Sequence, residues 1–334
     1  MYGTGMNARI KQHEMHDLYG ECRLCPRNCR VDRLEGEKGY CGESARMRVA
    51  WAGLHLGEEP PLIGEKGSGT IFFTGCTLKC ESCQNCQISH RGLGRGISSE
   101  ELAGLMLRLQ GRGAANINLV TASHFTPSII ECVSSARTQG LSIPVVWNSS
   151  GYEQLSTLDL LRETVDVYLP DCKTLDPEVS RRLMGAADYP VVVQTAVLKM
   201  IEDKPLVAEN DQLNQGVIIR HLVLPGLPAQ SREVLEWFAE HGKGRALLSL
   251  MFQYTPVSSE GGELGRKPRH GPQRRVSRRE YEQVLSWLEE LGIEDGFVQE
   301  PAENDDWLPD FTRLNPFPLG QAVPVWHYQY GFVD

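Results

Sequence analysis

The chain has 334 residues, 41% apolar and 23% charged, which is enough to bury a full core as one large or two medium domains. Its net charge of −9 argues against a large nucleic-acid footprint, and no apolar run approaches the roughly 18 residues that span a bilayer, so no membrane partner is expected. Ten cysteines in a chain whose start lacks the apolar core of a signal peptide point to metal binding rather than disulfides, with the cytoplasm as the expected compartment.

Residues 1 to 20 show no strong pattern and are read as a short helix or an arm. Cys22, Cys25, Cys29 and Cys41 follow at the spacing C-x2-C-x3-C-x11-C, with Gly36, Gly39 and Gly42 supplying turns. The stretch is too short for a core of its own, so a metal is expected to hold it. Four thiolates close a site, as zinc or as an auxiliary iron–sulfur centre, and four reduced thiols in an ordinary loop are the alternative. A Pro-Gly loop through Glu58, Glu59, Pro60 and Pro61 leads to a strand, Thr70 to Phe73. The loop after it carries Cys76, Cys80 and Cys83, spaced C-x3-C-x2-C, and Cys86 comes three residues later. Three thiolates on one loop hold three corners of a 4Fe–4S cubane and leave one iron open to a small ligand. With Cys86 as a fourth ligand the cluster would be closed, and zinc is the other alternative.

Strand and helix patterns then alternate. A helix at about 98–110 opens on a Ser98/Glu101 capping box. A strand covers Asn116 to Val120, and a helix starts at Thr126-Pro127 and stops at Gly140. Ile143 to Trp147 and Val165 to Leu169 are strands, and Asp176-Pro177 caps a helix ending near Gly185. Val191 to Val193 reads as a strand alone and as a helix with the segment that follows. Val217 to Leu224 is a strand, Ser231 opens a helix, and Ala246 to Met251 is a strand. A Ser277/Glu280 capping box opens a helix ending at Gly292, and Phe297 to Gln299 is a short last strand. Alternation of this kind means parallel βαβ units with right-handed crossovers.

C-x3-C-x2-C at the end of a first strand, within GSGTIFFTGC and followed by CQN, resembles the radical S-adenosylmethionine (SAM) enzymes, in the branch of the pyruvate formate-lyase activating enzymes. The likeness runs from about residue 20 to 300. It implies an α/β fold, a partial (β/α)6 TIM-like barrel carrying a small cysteine-rich N-terminal metal knuckle. The expected division is 1–65 for the cysteine-rich segment, 66–300 for the barrel and 301–334 for an extension. It further implies a 4Fe–4S cluster on Cys76, Cys80 and Cys83 whose open iron is chelated by SAM. Reductive cleavage of SAM to a 5′-deoxyadenosyl radical and hydrogen abstraction from a substrate would follow, as in the glycyl-radical activating enzymes that act on a protein or peptide. An electron donor such as flavodoxin or ferredoxin is implied as a partner. A non-catalytic iron–sulfur or zinc protein for electron transfer or scaffolding is the alternative. The sequence departs from the family pattern: Ser82 stands where an aromatic residue precedes the third cysteine, Cys86 is a fourth cysteine beyond the triad, and Gly-Gly-Glu is absent from the second strand end.

In parallel β/α barrels the chemistry sits at the C-terminal ends of the strands. The second end, TASHF, offers Ser123 or His124 for the SAM amino group. The third, WNSSGY, offers Asn148 and Ser149 for ribose or carboxylate contacts, or for turn chemistry. In the fourth, LPDCKT, Asp171 and Lys173 point to one side and Cys172 to the other. That pair suits the zwitterionic methionine end of SAM and matches the likeness, and a plain salt bridge is the alternative. The fifth offers Arg220 or His221. The sixth, MFQYTP, places Gln253 and Tyr254 where the activating enzymes carry a histidine, and Gln253 is the candidate cofactor contact. Arg266 to Arg279 holds seven basic and no acidic residues and reads as a solvated loop running into a helix rather than an anion patch. The tail from Gln299 to Phe311, with Trp307 and Phe311, is expected to cover the open side of the barrel, and Cys132 to be a buried small residue.

Overall fold

The structure, a computed structural model, describes residues 12–257, 270–301 and 308–333. Its strands are β1 (Arg48–His55), β2 (Ser68–Phe73), β3 (Arg95–Gly96), β4 (Ile117–Val120), β5 (Val145–Ser149), β6 (Val167–Pro170), β7 (Val207–Glu209), β8 (Gln212–Leu222), β9 (Leu247–Met251), β10 (Gly296–Gln299), β11 (Ala322–His327) and β12 (Gly331–Phe332). β2, β4, β5, β6, β8, β9 and β10 lie side by side in that order, each pair parallel. The six expected barrel strands are the first six of these, and the short last strand expected at Phe297 to Gln299 is β10. β1 pairs antiparallel with β2, β11 with β1 and β12 with β11. The path ends at β10 and β12, so the sheet stays open.

The helices are α1 (Gln12–Asp17), α2 (Pro60–Ile63), α3 (Cys86–Ser89), α4 (Ser99–Gly111), α5 (Thr126–Thr138), α6 (Leu155–Leu161), α7 (Pro177–Met184), α8 (Tyr189–Asp203), α9 (Pro228–His241) and α10 (Arg278–Glu290). Among the described residues none is long and apolar enough to cross a membrane. The ambiguous Val191–Val193 run lies in α8, where Val193, Ala196, Val197, Met200 and Ile201 supply a buried helical stripe. α9 starts at Pro228, three residues before Ser231, because proline suits the first turn of a helix. α10 has the full capping box of Ser277 and Glu280. α4 has only the Ser98 half: the Glu101 carboxylate instead accepts from Trp326 Nε1 and Arg95, both at 3.1 Å.

Side chains alternate across a strand. Trp147, Tyr168, Val217, Ile219, Leu248 and Leu250 face the helices and join the main core. Val146, Val167, Leu169 and Ile218 face the other way and gather with Leu62 of α2 in a second cluster. That inner face is the barrel lumen. Its next positions along the strands are Asn148, Asp171, Arg220 and Ser249, and Asn118 stands opposite Val146. Apolar packing therefore closes the lumen at the N-terminal ends of the strands and leaves polar groups towards the C-terminal ends. From the tail, Phe311 is fully buried against Phe72, with ring centroids 5.2 Å apart, and its N–H donates to Gln87 Oε1 of α3 at 2.7 Å. Trp307 lies outside the described residues.

Candidate functional site

The cysteine loop leaves β2 and turns back on itself. Cys83 N–H donates to Cys80 O at 3.1 Å and Cys86 N–H to Cys83 O at 3.2 Å, and Lys79 takes φ 50°. Cys76 and Cys80 pack against the main core. Leu78 N–H donates to Cys76 Sγ at 3.4 Å, and Ser89 Oγ lies 3.3 Å from Cys83 Sγ. Burial pushes the Cys80 thiol up to about 11, partly offset by the Lys173 charge. Burial pushes Cys83 up to about 12, and charge on Cys80 and Cys76 would raise it further. The three sulfurs are thus within electrical reach of one another in a place that disfavours bare thiolates. A cationic metal centre inverts that preference, and N–H···S bonds of this kind accompany cluster sulfurs, so the donor set fits a 4Fe–4S cluster. Cys86 starts α3, is buried, and has Arg91 as its nearest charged influence. Among the described residues, no three His, Cys, Asp or Glu groups stand round a single-ion position.

Beside Cys80 lies a charged group in the lumen. Lys173 Nζ is 2.6 Å from Asp171 Oδ2, Arg220 Nε is 3.0 Å from Asp171 Oδ1, and Arg220 Nη2 donates to Asn148 Oδ1 at 2.5 Å. Asp171 and Lys173 share a side, as expected, and they do form the salt bridge, though Arg220 makes it a three-membered network. Burial alone would raise the Asp171 carboxyl, but Arg220 and Lys173 hold it below its usual range. Deeper in, Glu59 Oε1 accepts from Ser249 Oγ at 3.0 Å. Glu59 Oε2, both amide atoms of Asn118, Gln253 Oε1 and Thr255 Oγ1 are buried with no protein partner. Buried polar atoms are ordinarily bonded, so these mark positions where water or a ligand completes the site.

Burial pushes the Glu59 carboxyl up to about 7, with Arg220 pulling the other way. A carboxyl whose pKa is higher folded than unfolded binds its proton more tightly in the folded state. Its contribution is therefore full below the unfolded value of about 4.3 and is lost as pH rises towards about 7. Glu59→Gln keeps the Ser249 bond and removes this carboxyl's titration, leaving that of Glu58, which burial also raises. It is expected to be more stable than the parent at pH 8, by on the order of 2 kcal/mol, and to match it near pH 4, as measured by urea unfolding at both pH values.

Other candidates are placed elsewhere. Ser123 Oγ donates to Glu153 Oε1 at 2.6 Å, so a SAM contact there would have to displace Glu153. His124 Nε2 is bonded to Thr74 O at 2.7 Å. Ser149 Oγ accepts from Gly151 N–H at 3.2 Å, which is turn chemistry, while Asn148 faces the lumen. His221 is fixed outside the lumen by Cys172 O (2.7 Å) and Ser231 Oγ (2.9 Å), leaving Arg220 as the lumen member of that pair. Tyr254 Oη donates to Ser82 Oγ at 3.1 Å, so an aromatic ring from the sixth strand end stands at the position where Ser82 replaces the family's aromatic residue. Of the basic stretch, residues 266–269 lie outside the described residues; Arg274 pairs with Glu280 and Arg278 with Glu282, as a solvated loop and helix face would.

The N-terminal cysteines gather over this end of the barrel. Burial pushes Cys25 up to about 12, and charge on Cys41, Cys22 or Cys29 would add to that. Tyr40 N–H donates to Cys29 Sγ at 3.2 Å, and a Cβ at Gly39 would sit 2.9 Å from that sulfur, so the backbone passes only as glycine. Contacts to the rest of the chain also hold the segment. Arg33, 1% exposed, donates to Glu43 O (3.1 Å), Ser44 O (2.7 Å) and His124 O (2.5 Å). Arg27 donates to Thr77 O (2.9 Å), Gly185 O (2.6 Å) and Met184 O (2.9 Å), and its guanidinium lies 3.8 Å from the Tyr40 ring centre. Arginine side chains reaching backbone carbonyls across a long sequence separation leave no local pattern, and sequence reading missed both.

Residues 64–175, which contain the cysteine triad and strands β2 to β6, match the family model of the 4Fe-4S single cluster domain. The chain belongs to one family with the uncharacterized protein MJ0674 of Methanocaldococcus jannaschii. It is 30% identical to that protein over 295 residues, covering 85% of this chain and 79% of that one. Among solved structures it is similar to SuiB of Streptococcus suis bound to S-adenosylmethionine, with TM-score 0.47 and 14% identity over 67% of this chain; it spans only 48% of SuiB. It is similar also to methylornithine synthase (TM-score 0.45, 13% identity, 87% of this chain and 76% of that one). A third similar structure is a domain of pyruvate-formate lyase-activating enzyme from Bacteroides vulgatus (0.33, 13%, 60% and 91%).

Proposed function

We propose that this protein uses a 4Fe–4S cluster on Cys76, Cys80 and Cys83, with SAM beside it, to take hydrogen from a C–H bond of a protein or peptide substrate. The observation that carries this reading is the side-by-side placement of the three-thiol loop and the Asp171–Lys173–Arg220 network, since Lys173 and Asp171 are close enough to alter the Cys80 thiol. Held there, a reduced cluster with SAM would supply the one-electron chemistry needed to take hydrogen from an unactivated C–H bond. The chain's own residues bind and orient. Asp171 suits the amino group of SAM and Lys173 and Arg220 its carboxylate, through charge-assisted hydrogen bonds. Asn148 and Gln253 suit its polar ribose groups, and Tyr254 a face of the adenine. Phe311, seated on Phe72, shields that side of the lumen from water.

A polypeptide substrate is supported by the open sheet, whose edge strand β10 is largely exposed and leaves that side reachable by something bulkier than a metabolite. An electron donor of flavodoxin or ferredoxin type fits the need for one electron per SAM. Cys22, Cys25, Cys29 and Cys41 are proposed to hold an auxiliary metal centre.

The test is anaerobic reconstitution with iron and sulfide followed by SAM and dithionite. Release of 5′-deoxyadenosine is the expected result. A cluster that forms and is reduced, yet never cleaves SAM, would return the protein to electron transfer or scaffolding.

A further inference from the structure

Where the N-terminal segment meets the cysteine loop there is a cavity of about 110 Å³. Lys38, Arg48, Lys79, His90 and Arg91 line it, with Glu43 as its one carboxylate. Glu43 is already satisfied, by Thr74 Oγ1 at 2.6 Å and Arg48 Nη1 at 3.3 Å. Arg48 is likewise used, by Glu43 and by the carbonyls of Gly92 and Gly94 at 2.7 and 2.9 Å. Among the described residues no carboxylate lies within ion-pair distance of Lys38, Lys79 or Arg91. Three cations thus converge without counter-charge in a chain that carries 43 acidic against 34 basic side chains. Acids are in excess overall, so a pocket whose cations outnumber its one carboxylate leaves room for an anion from outside. Two glycines with positive φ keep the walls bare: a Cβ at Gly42 would stand 3.3 Å from Lys79 Nζ, and one at Gly92 3.2 Å from Arg48 Nη1. Burial, together with the Lys79 and Arg91 charges, holds His90 below its usual pKa, which marks the positive potential.

We propose that this pocket binds a phosphate group, free or as a monoester. A dianion with several acceptor oxygens can engage two lysines and an arginine at once, whereas a chloride or single carboxylate leaves cations unmatched. The size suits a phosphate group. Ser89, which lines the pocket, also touches Cys83 Sγ, and Cys41 lines it too, so the ligand would join the two cysteine groups. The inference stands independently of the radical chemistry.

The experiment is calorimetric titration of the purified full chain with inorganic phosphate and, separately, with glycerol phosphate, at low ionic strength where charge contacts are least screened. Saturable one-to-one binding of at least one probe is expected, and the tighter of the two identifies the source. Lys79→Gln and Arg91→Gln should each weaken it by about tenfold, the scale of a lost charge-assisted bond, and Lys79→Arg should retain most of it. Lys38→Gln, at an exposed position, should weaken it severalfold with an unchanged melting temperature, which guards against misfolding as the cause. Failure of both probes to bind saturably would overturn the proposal, and so would variants that all bind as the parent does.

Discussion

Cys80→Ala protein is expected to hold no SAM-cleaving cluster and to release no 5′-deoxyadenosine above background, and Cys76→Ala and Cys83→Ala should behave alike. The reason lies in the loop. All three thiols come from one turn of chain between β2 and α3, and no other described cysteine except Cys86 stands on it. A cubane left with two protein thiolates is poorly held, and burial already disfavours ionised sulfur at Cys80 and Cys83. Cys86→Ala should keep both cluster and cleavage, because Cys86 is the first residue of α3 and is buried. Iron and sulfide content and 5′-deoxyadenosine yield check this. Loss of the cluster in Cys86→Ala as complete as in Cys80→Ala would sink the open-iron reading. The triple variant Cys76→Ala, Cys80→Ala, Cys83→Ala isolates the leader. Residual iron with sulfide there means an auxiliary cluster on Cys22, Cys25, Cys29 and Cys41, and zinc alone means a structural knuckle. Neither metal in folded protein would remove the leader from the metal sites.

What was readable in the sequence is what local spacing determines. The parallel strands, the triad loop and the same-side placement of Asp171 and Lys173 all follow from periods of two and from short cysteine intervals. Thr126-Pro127, Asp176-Pro177 and Ser277/Glu280 open helices because caps are local chemistry. Long-range pairing was not readable. Glu101 abandons its capping box for Trp326, 225 residues away, and Arg27 and Arg33 clamp the leader through carbonyls far along the chain. Glu58 and Glu59 read as part of a Pro-Gly loop leading to the first core strand, yet Glu59 reaches Ser249 inside the barrel. Asn118 did carry a signal, as a polar residue within the apolar run of β4, and was passed over.

Asp171→Ala is expected to weaken SAM binding by about 10- to 100-fold, the equivalent of roughly 1–3 kcal/mol for a charged hydrogen bond. It should also destabilise the fold by on the order of 3 kcal/mol, because breaking a buried ion network leaves its other members uncompensated. Asp171 is the shared partner of Lys173 at 2.6 Å and Arg220 at 3.0 Å, so its removal leaves two cations facing each other in the lumen. Lys173→Met should separate the two effects. It keeps the aliphatic stem and leaves the Asp171–Arg220 pair and the Arg220–Asn148 bond in place. Its stability loss should be under about 1 kcal/mol, while its SAM affinity falls as far as that of Asp171→Ala if Lys173 meets the ligand carboxylate. Urea unfolding and equilibrium SAM binding, both on cluster-loaded protein, give the two quantities. SAM affinity unchanged in both variants would make the network a brace between β6 and β8 and nothing more. Affinity lost only in Asp171→Ala would assign the contact to the carboxylate alone, with Lys173 serving to hold Asp171 ionised beside Cys80.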